Sequence, residues 1–230
     1  MNLVQKLPIG LSLACLMFMS SCSKEDVPKP GSAVTNESSN LRVEGPVFIA
    51  FHLPSTDGPT CIGCAPPKWE FKNPGQGATS NLIAYGGHPL QKWLKPLPVP
   101  STGSGSILTL RGDDYTGKAY ANIENLVKGK KYKLTFSMST TILKGATGPY
   151  AADAIIFIDN AAEELIAYKH VIFKGKENQW ITDTIEFVAE DTTQKLRLDA
   201  YPYDAYPYGN NLGFFYTNLH VGKDAVKQIN

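Results

Sequence analysis

Beyond residue 40 the chain alternates apolar and polar side chains with a period of two, in short runs broken by Gly, Pro, Asn and Asp. The runs fall at residues 47–51, 106–110, 120–126, 132–138, 154–158, 165–173, 180–188, 195–201 and 214–221. Successive side chains of a strand point to opposite faces, so this period predicts half-buried β-strands. Many short strands with turn signals between them predict an all-β sandwich or barrel. Only 224–229 and 88–94 could supply a turn or two of helix. Lys128-Gly129-Lys130 and Lys174-Gly175-Lys176 each place a glycine where a tight reversal between strands needs one. Residues 41–230 are long enough for one substantial core and contain no second linker, which predicts one domain there.

The first 40 residues follow another pattern. Lys6 precedes an apolar run from Leu7 to Phe18, then small residues, then Cys22. That run is shorter than the roughly 20 residues that cross a bilayer, whereas a secretory signal has this layout. With its cysteine it resembles a bacterial lipoprotein signal, which implies removal of residues 1–21 and acylation of Cys22 as the first mature residue. Cys15 is a rival acylation site but leaves too short an apolar run. Ser23-Lys24-Glu25-Asp26 is similar to the export signal that places some Gram-negative lipoproteins on the outer face of the outer membrane. Residues 22–40 are rich in Ser, Pro, Lys, Glu and Asn, too polar to repay ordering, and are expected to form a flexible tether.

Charge and cysteine usage narrow the partners. Loss of residues 1–21 removes Lys6 and no acid, so 22 Lys+Arg against 21 Asp+Glu become 21 against 21. A neutral chain has no basic field with which to gather phosphates, which argues against nucleic acid. Cys15 leaves with the signal and Cys22 carries lipid, so Cys61 and Cys64 remain. In an oxidising compartment the expectation for Cys61-Ile62-Gly63-Cys64 is a local disulfide stiffening a proline-rich loop. A metal site there would have to recruit His52 or His88, redox chemistry would need a βαβ setting that does not surround the pair, and two unpaired thiols are the remaining alternative.

The order of motifs in the second half carries a family likeness. Ile107-Leu108-Thr109-Leu110, Ala119-Tyr120-Ala121-Asn122-Ile123 and the Lys128-Gly129-Lys130-Lys131-Tyr132 turn before a strand are followed by residues 180–187, 196–201 and 214–221. This series resembles the jelly-roll carbohydrate-binding modules of the galactose-binding-like superfamily. The resemblance implies a jelly-roll β-sandwich that binds a glycan. It allows a structural calcium ion, although Thr217-Asn218 stands where the family usually carries an acidic step. Residues 54–100 have no counterpart and read as a loop-rich insertion.

Candidate contacts follow from aromatic chemistry. Tyr201-Pro202-Tyr203-Asp204-Ala205-Tyr206-Pro207-Tyr208-Gly209 nearly repeats Ala-Tyr-Pro-Tyr. Proline fixes φ and removes a donor, so the chain must leave the sheet here as a stiff loop. Tyr201, Tyr203, Tyr206 and Tyr208 then offer flat apolar faces with hydroxyl tips, suited to a sugar ring, with Asp204, Asn210 and Asn211 to set orientation. Trp69 and Trp93 in the insertion are further stacking candidates, although tryptophan is more often buried. Trp180, Phe71, Phe214 and Phe215 are assigned to the core. No His-Glu-x-x-His, no Gly-x-Ser-x-Gly and no phosphate loop is present, and the adjacent acid pairs suit turns better than catalysis.

The sequence therefore predicts a non-catalytic glycan-binding lipoprotein of the outer membrane, facing the cell exterior and supplying degradation or uptake proteins. Two rivals differ in kind. An adhesion lipoprotein would present a contiguous apolar patch, and a glycoside hydrolase or polysaccharide lyase would bring carboxylates, or a His-Tyr pair, together in a cleft.

Overall fold

The computed structural model describes residues 52–58, 61–71, 86–88, 90–112, 117–202 and 214–230. All belong to one compact unit, Phe48–Asn230. Cys22, the leader, the tether and the expected strand at 47–51 lie outside the described residues. The described residues form twelve strands and no helix. One sheet has five strands: β1 (Trp69–Phe71), β5 (Gly117–Ile123), β10 (Gln194–Pro202), β7 (Ala151–Asp159) and β8 (Leu165–Ile172), in that order. The second is built on β6 (Lys131–Thr141). Its order is β4 (Leu108–Gly112), β11 (Phe215–His220), β6, then β9 (Ile181–Val188). The last strand, β12 (Val226–Ile229), follows β11 along the same edge of β6, pairing with residues 131–134 while β11 takes 137–141. A separate short hairpin joins β2 (Gly87–His88) to β3 (Gln91–Lys92). Every pairing is antiparallel.

Alternation along the strands builds the core. Ala119, Ala121 and Ile123 of β5, Leu196, Leu198 and Ala200 of β10, and Ile156 and Ile158 of β7 all point inward. They meet Tyr132, Leu134, Phe136 and Met138 of β6 and Phe215 and Leu219 of β11. Each large side chain so buried contributes about 1.5–3 kcal/mol. Period two in the sequence thus becomes two apolar faces pressed together, the all-β sandwich expected. Gly129 lies at φ 79, the left-handed conformation that its turn between β5 and β6 requires.

Three stretches differ from expectation. Residues 88–94, weighed as a helical turn, instead carry the end of β2 and all of β3, whose antiparallel pairing makes them a hairpin. Of residues 224–229, weighed as a helical turn, the last four form β12: Val226 is buried against the core, and the strand pairs with residues 131–134 of β6 on the edge that β11 leaves uncovered. The insertion is partly built into the sandwich. Thr56 is buried and bonds to the carbonyls of Ser106 and Val221, and β1 adds an edge to the five-stranded sheet. Phe215 is in the core as expected, but Phe214 is exposed and lies beneath the Arg111 guanidinium, 4.4 Å from its ring centroid.

Residues 93–106 run as a strap over the outer face of the second sheet. For this reason all six residues of β11 are buried, on both faces. Trp93 packs on Tyr216 at 5.3 Å between ring centroids, and the Trp180 indole N–H donates to the Pro98 carbonyl at 2.6 Å. A chain of hydroxyls fastens the strap: Ser101 to Thr182 at 2.6 Å, Thr182 to Ser137 at 2.8 Å, and Ser137 to Thr102 at 2.9 Å. Thr102 also meets His220 Nδ1 at 2.6 Å. Burial holds the His220 imidazole below its ordinary value near 6.5, against the opposing pull of Asp57. An imidazole whose pKa is depressed by folding contributes stability that is complete above that ordinary value and is lost as pH falls through the folded one. Thermal unfolding midpoints are therefore expected to decline from pH 6.5 downward, with that part of the decline missing in His220→Asn.

Candidate functional site

The site is assembled on the outer face of the five-stranded sheet. Strand pairing puts Glu70, Tyr120, Arg197, Phe157 and Tyr168 directly opposite one another, one from each strand. Neighbouring strands are about 4.8 Å apart, so this row crosses the sheet over about 19 Å. A second row, Lys118, Asp199, Ile155 and His170, runs beside it, and a third carries Asn122, Lys195 and Asp159. Between them lies a groove of about 510 Å³ lined by Glu70, Lys118, Tyr120, Asn122, Asp159 and Arg197, with Lys68, Glu163 and Lys195 at its margins and Ala121 at its floor.

Charge pairing gives the groove its rigidity. Arg197 donates to Asp159 and to Asp199, both at 3.2 Å, while its guanidinium lies 4.0 Å from the Phe157 ring centroid. Lys118 reaches Asp199 at 3.2 Å. The side chains of Asp159 and Asp199 are only 6% and 3% exposed, so both depend on these cations for compensation. Burial pushes the Asp159 carboxyl above its ordinary value in spite of Arg197. Asp199 Oδ1 is buried without a hydrogen-bond partner. Lys195 bonds Glu163 at 2.6 Å and stands 5.5 Å from the Tyr120 ring centroid. At the rim, Lys68 adopts φ 65, uncommon for a residue with a side chain, and pairs with Glu124 at 3.6 Å.

The residues singled out in the sequence are distributed unevenly around this groove. Tyr201 is half-buried at the end of β10, opposite Asp153, and burial together with Asp199 raises its phenol. It shares the outer face with the rows above. Tyr203, Asp204, Tyr206, Tyr208, Asn210 and Asn211 lie outside the described residues. Trp69 and Trp93 are 4% and 5% exposed, so the structure spends both rings on packing instead of offering them to a ligand. The Trp69 indole N–H donates inward, to the Ser55 carbonyl at 3.2 Å. Cys61 and Cys64 are joined by a disulfide, four residues before Lys68. Among the described residues no group of three or more His, Cys, Asp or Glu is placed to hold a metal ion.

Sequence reading missed Tyr120, Phe157, Tyr168, Arg197 and the buried acids. A usable signal was present. Lys118, Tyr120 and Asn122 alternate with inward alanines, and Lys195, Arg197 and Asp199 alternate with inward leucines, so both central strands carry polar side chains at every outward position.

Neither a protein-family model nor a curated protein matches the sequence. Similar folds occur among solved structures. A cyclase from Fischerella sp. aligns at TM-score 0.44 and 14% identity, over 77% of this chain and 91% of its own. TmCBM61, solved in complex with β-1,4-galactotriose, aligns at TM-score 0.36 and 10% identity, over 71% of this chain and 89% of its own. The arabinose-bound MgGH51 α-L-arabinofuranosidase aligns at TM-score 0.39 and 10% identity, over 74% of this chain. The chain spans about a quarter, 26%, of that enzyme's length. At these scores none of the three carries an argument about the ligand.

Proposed function

We propose that this chain holds a glycan without cleaving it, on the outer face of its five-stranded sheet, at a cell surface to which Cys22 moors it by lipid. The observation that supports the reading is the row from Glu70 to Tyr168. Flat rings at Tyr120 and Tyr168 share one row with the charged Glu70 and Arg197 on a sheet face open to solvent, which is what a chain of sugar rings needs: apolar faces to lie on and polar groups to take its hydroxyls. Tyr168 is 60% exposed and so has a free surface for stacking. Residues 22–40 would hold the sandwich away from the bilayer, and uptake or degradation proteins of the outer membrane would receive the captured polymer.

Two features favour this reading over its rivals. Apart from Ala121 and the Tyr120 ring, the groove's lining residues are charged or amide-bearing, whereas an adhesion surface would present a contiguous apolar patch. The carboxylates of Asp159 and Glu163 are held by Arg197 and Lys195, an arrangement suited to positioning groups and not to passing protons. A shallow wet site implies modest affinity. A glycan array followed by calorimetry on the hits tests the proposal. Tyr120→Ala is expected to weaken binding about tenfold, the scale of one aromatic contact. Unchanged affinity in both Tyr120→Ala and Tyr168→Ala would overturn the assignment of this face.

A further inference from the structure

The cations of the groove differ from those of an anion-binding site in one respect: each already has a carboxylate. Lys68 pairs with Glu124, Lys118 with Asp199, Lys195 with Glu163, and Arg197 with both Asp159 and Asp199. Arg197 is doubly committed. Its donors are turned to two buried acids and its face is laid on Phe157. If a ligand carboxylate or sulfate drew Arg197 to itself, it would leave the buried Asp159 without its ion-pair partner and Asp199 with Lys118 alone, which is among the costlier events inside a protein. Glu70 lines the groove with no ion-pair partner among the described residues. The local count is therefore five carboxylates, Glu70, Glu124, Asp159, Glu163 and Asp199, against four cations. Its field repels anions. What the groove leaves available is a set of acceptors, the exposed carboxylates of Glu70 and Glu163, with the exposed Asn122 amide as donor and acceptor, and these suit hydroxyl groups.

From this we infer that the groove takes an uncharged glycan and rejects polymers bearing uronate or sulfate groups. The inference rests on the glycan-binding reading above and adds the ligand's charge class to it. Glu163 then acts as a selectivity residue: by engaging Lys195 beside Tyr120, it withholds the cation next to the groove's aromatic ring from any anionic ligand.

The test uses the full chain against neutral polysaccharides (glucans, mannans, xylans, galactans) and acidic ones (polygalacturonate, alginate, sulfated galactan). Affinities are then measured at low salt and at about ten times that salt, a change that strongly screens exposed charges. The expected hits are neutral, with affinity that changes less than about twofold between the two salts. Glu163→Gln, which frees Lys195, is expected to raise retention of polygalacturonate several-fold at low salt only. Tighter binding of an acidic polymer than of any neutral one, weakened steeply by salt, overturns the inference and leaves glycan binding intact. If Glu163→Gln gains nothing toward polygalacturonate, the ion pair is not the cause of selectivity and the inference fails on that count. Binding to no polysaccharide of either class overturns the glycan-binding reading itself, and the charge class with it.

Discussion

Arg197→Ala is expected to lower the unfolding free energy by about 3 kcal/mol, measured as a fall in the urea midpoint with little change in slope. The cause lies less in the hydrogen bonds removed than in the acids that stay behind. Asp159 and Asp199 would remain buried with their charges, and Asp199 would retain only Lys118. Loss of one partner from a buried pair commonly costs about 3–5 kcal/mol, and the lower end applies because the Arg197 side chain is 25% exposed to water. Removing the charges together is a sharper comparison. Asp159→Asn, Asp199→Asn and Arg197→Met combined should recover most of the loss, since an apolar replacement leaves no uncompensated ion. A triple variant as unstable as Arg197→Ala would show that the guanidinium acts through packing on Phe157.

Gly112→Ala is the second large effect, expected at about 3 kcal/mol, the upper part of the range for overpacking. Gly112 ends β4 directly opposite Phe215 of β11, and the fully buried Phe215 ring occupies the volume a β-carbon at Gly112 would need. An aromatic side chain laid across a strand glycine in this way covers backbone that would otherwise be poorly packed. The added methyl must displace Phe215 from the core, because β4 is held to β11 along its whole length. Phe215→Leu in the Gly112→Ala background should restore part of the loss by making room. Calorimetric unfolding of the two single variants and the double variant measures the coupling.

The strands could be read from the chain because period two survives wherever one face is buried and the other wet. Eight of the predicted runs overlap β4 to β11 within a few residues. The failures have physical reasons. Val226 to Ile229 looks ambiguous alone because four residues hold too few repeats to distinguish a strand from a helical turn, and what makes them a strand is the edge of β6 that β11 leaves uncovered. Trp69 and Trp93 carry the same ring whether they stack on a ligand or fill a core, and only their neighbours decide between these. The groove was hidden for a different reason. Glu70, Tyr120, Phe157, Tyr168 and Arg197 are scattered over more than a hundred positions and meet only through the order β1, β5, β10, β7, β8, which no local pattern encodes. Each strand's outward residues were legible singly. Their adjacency was not.

The last strand of that order has a bearing on how the molecule behaves in a crowd. Among the described residues β8 pairs with β7 alone, and it exposes Leu165, Tyr168 and Ile172 beside a row of free amides and carbonyls. Such a border invites a neighbouring polypeptide to extend the sheet. Lys169, opposite Ile156 on the inward side, reaches across to Asp183 of β9 at 2.9 Å. A newcomer zipping onto β8 would have to bury that ammonium or tear it from its acid. One well-placed lysine thus guards a sticky margin against becoming the seed of a fibre.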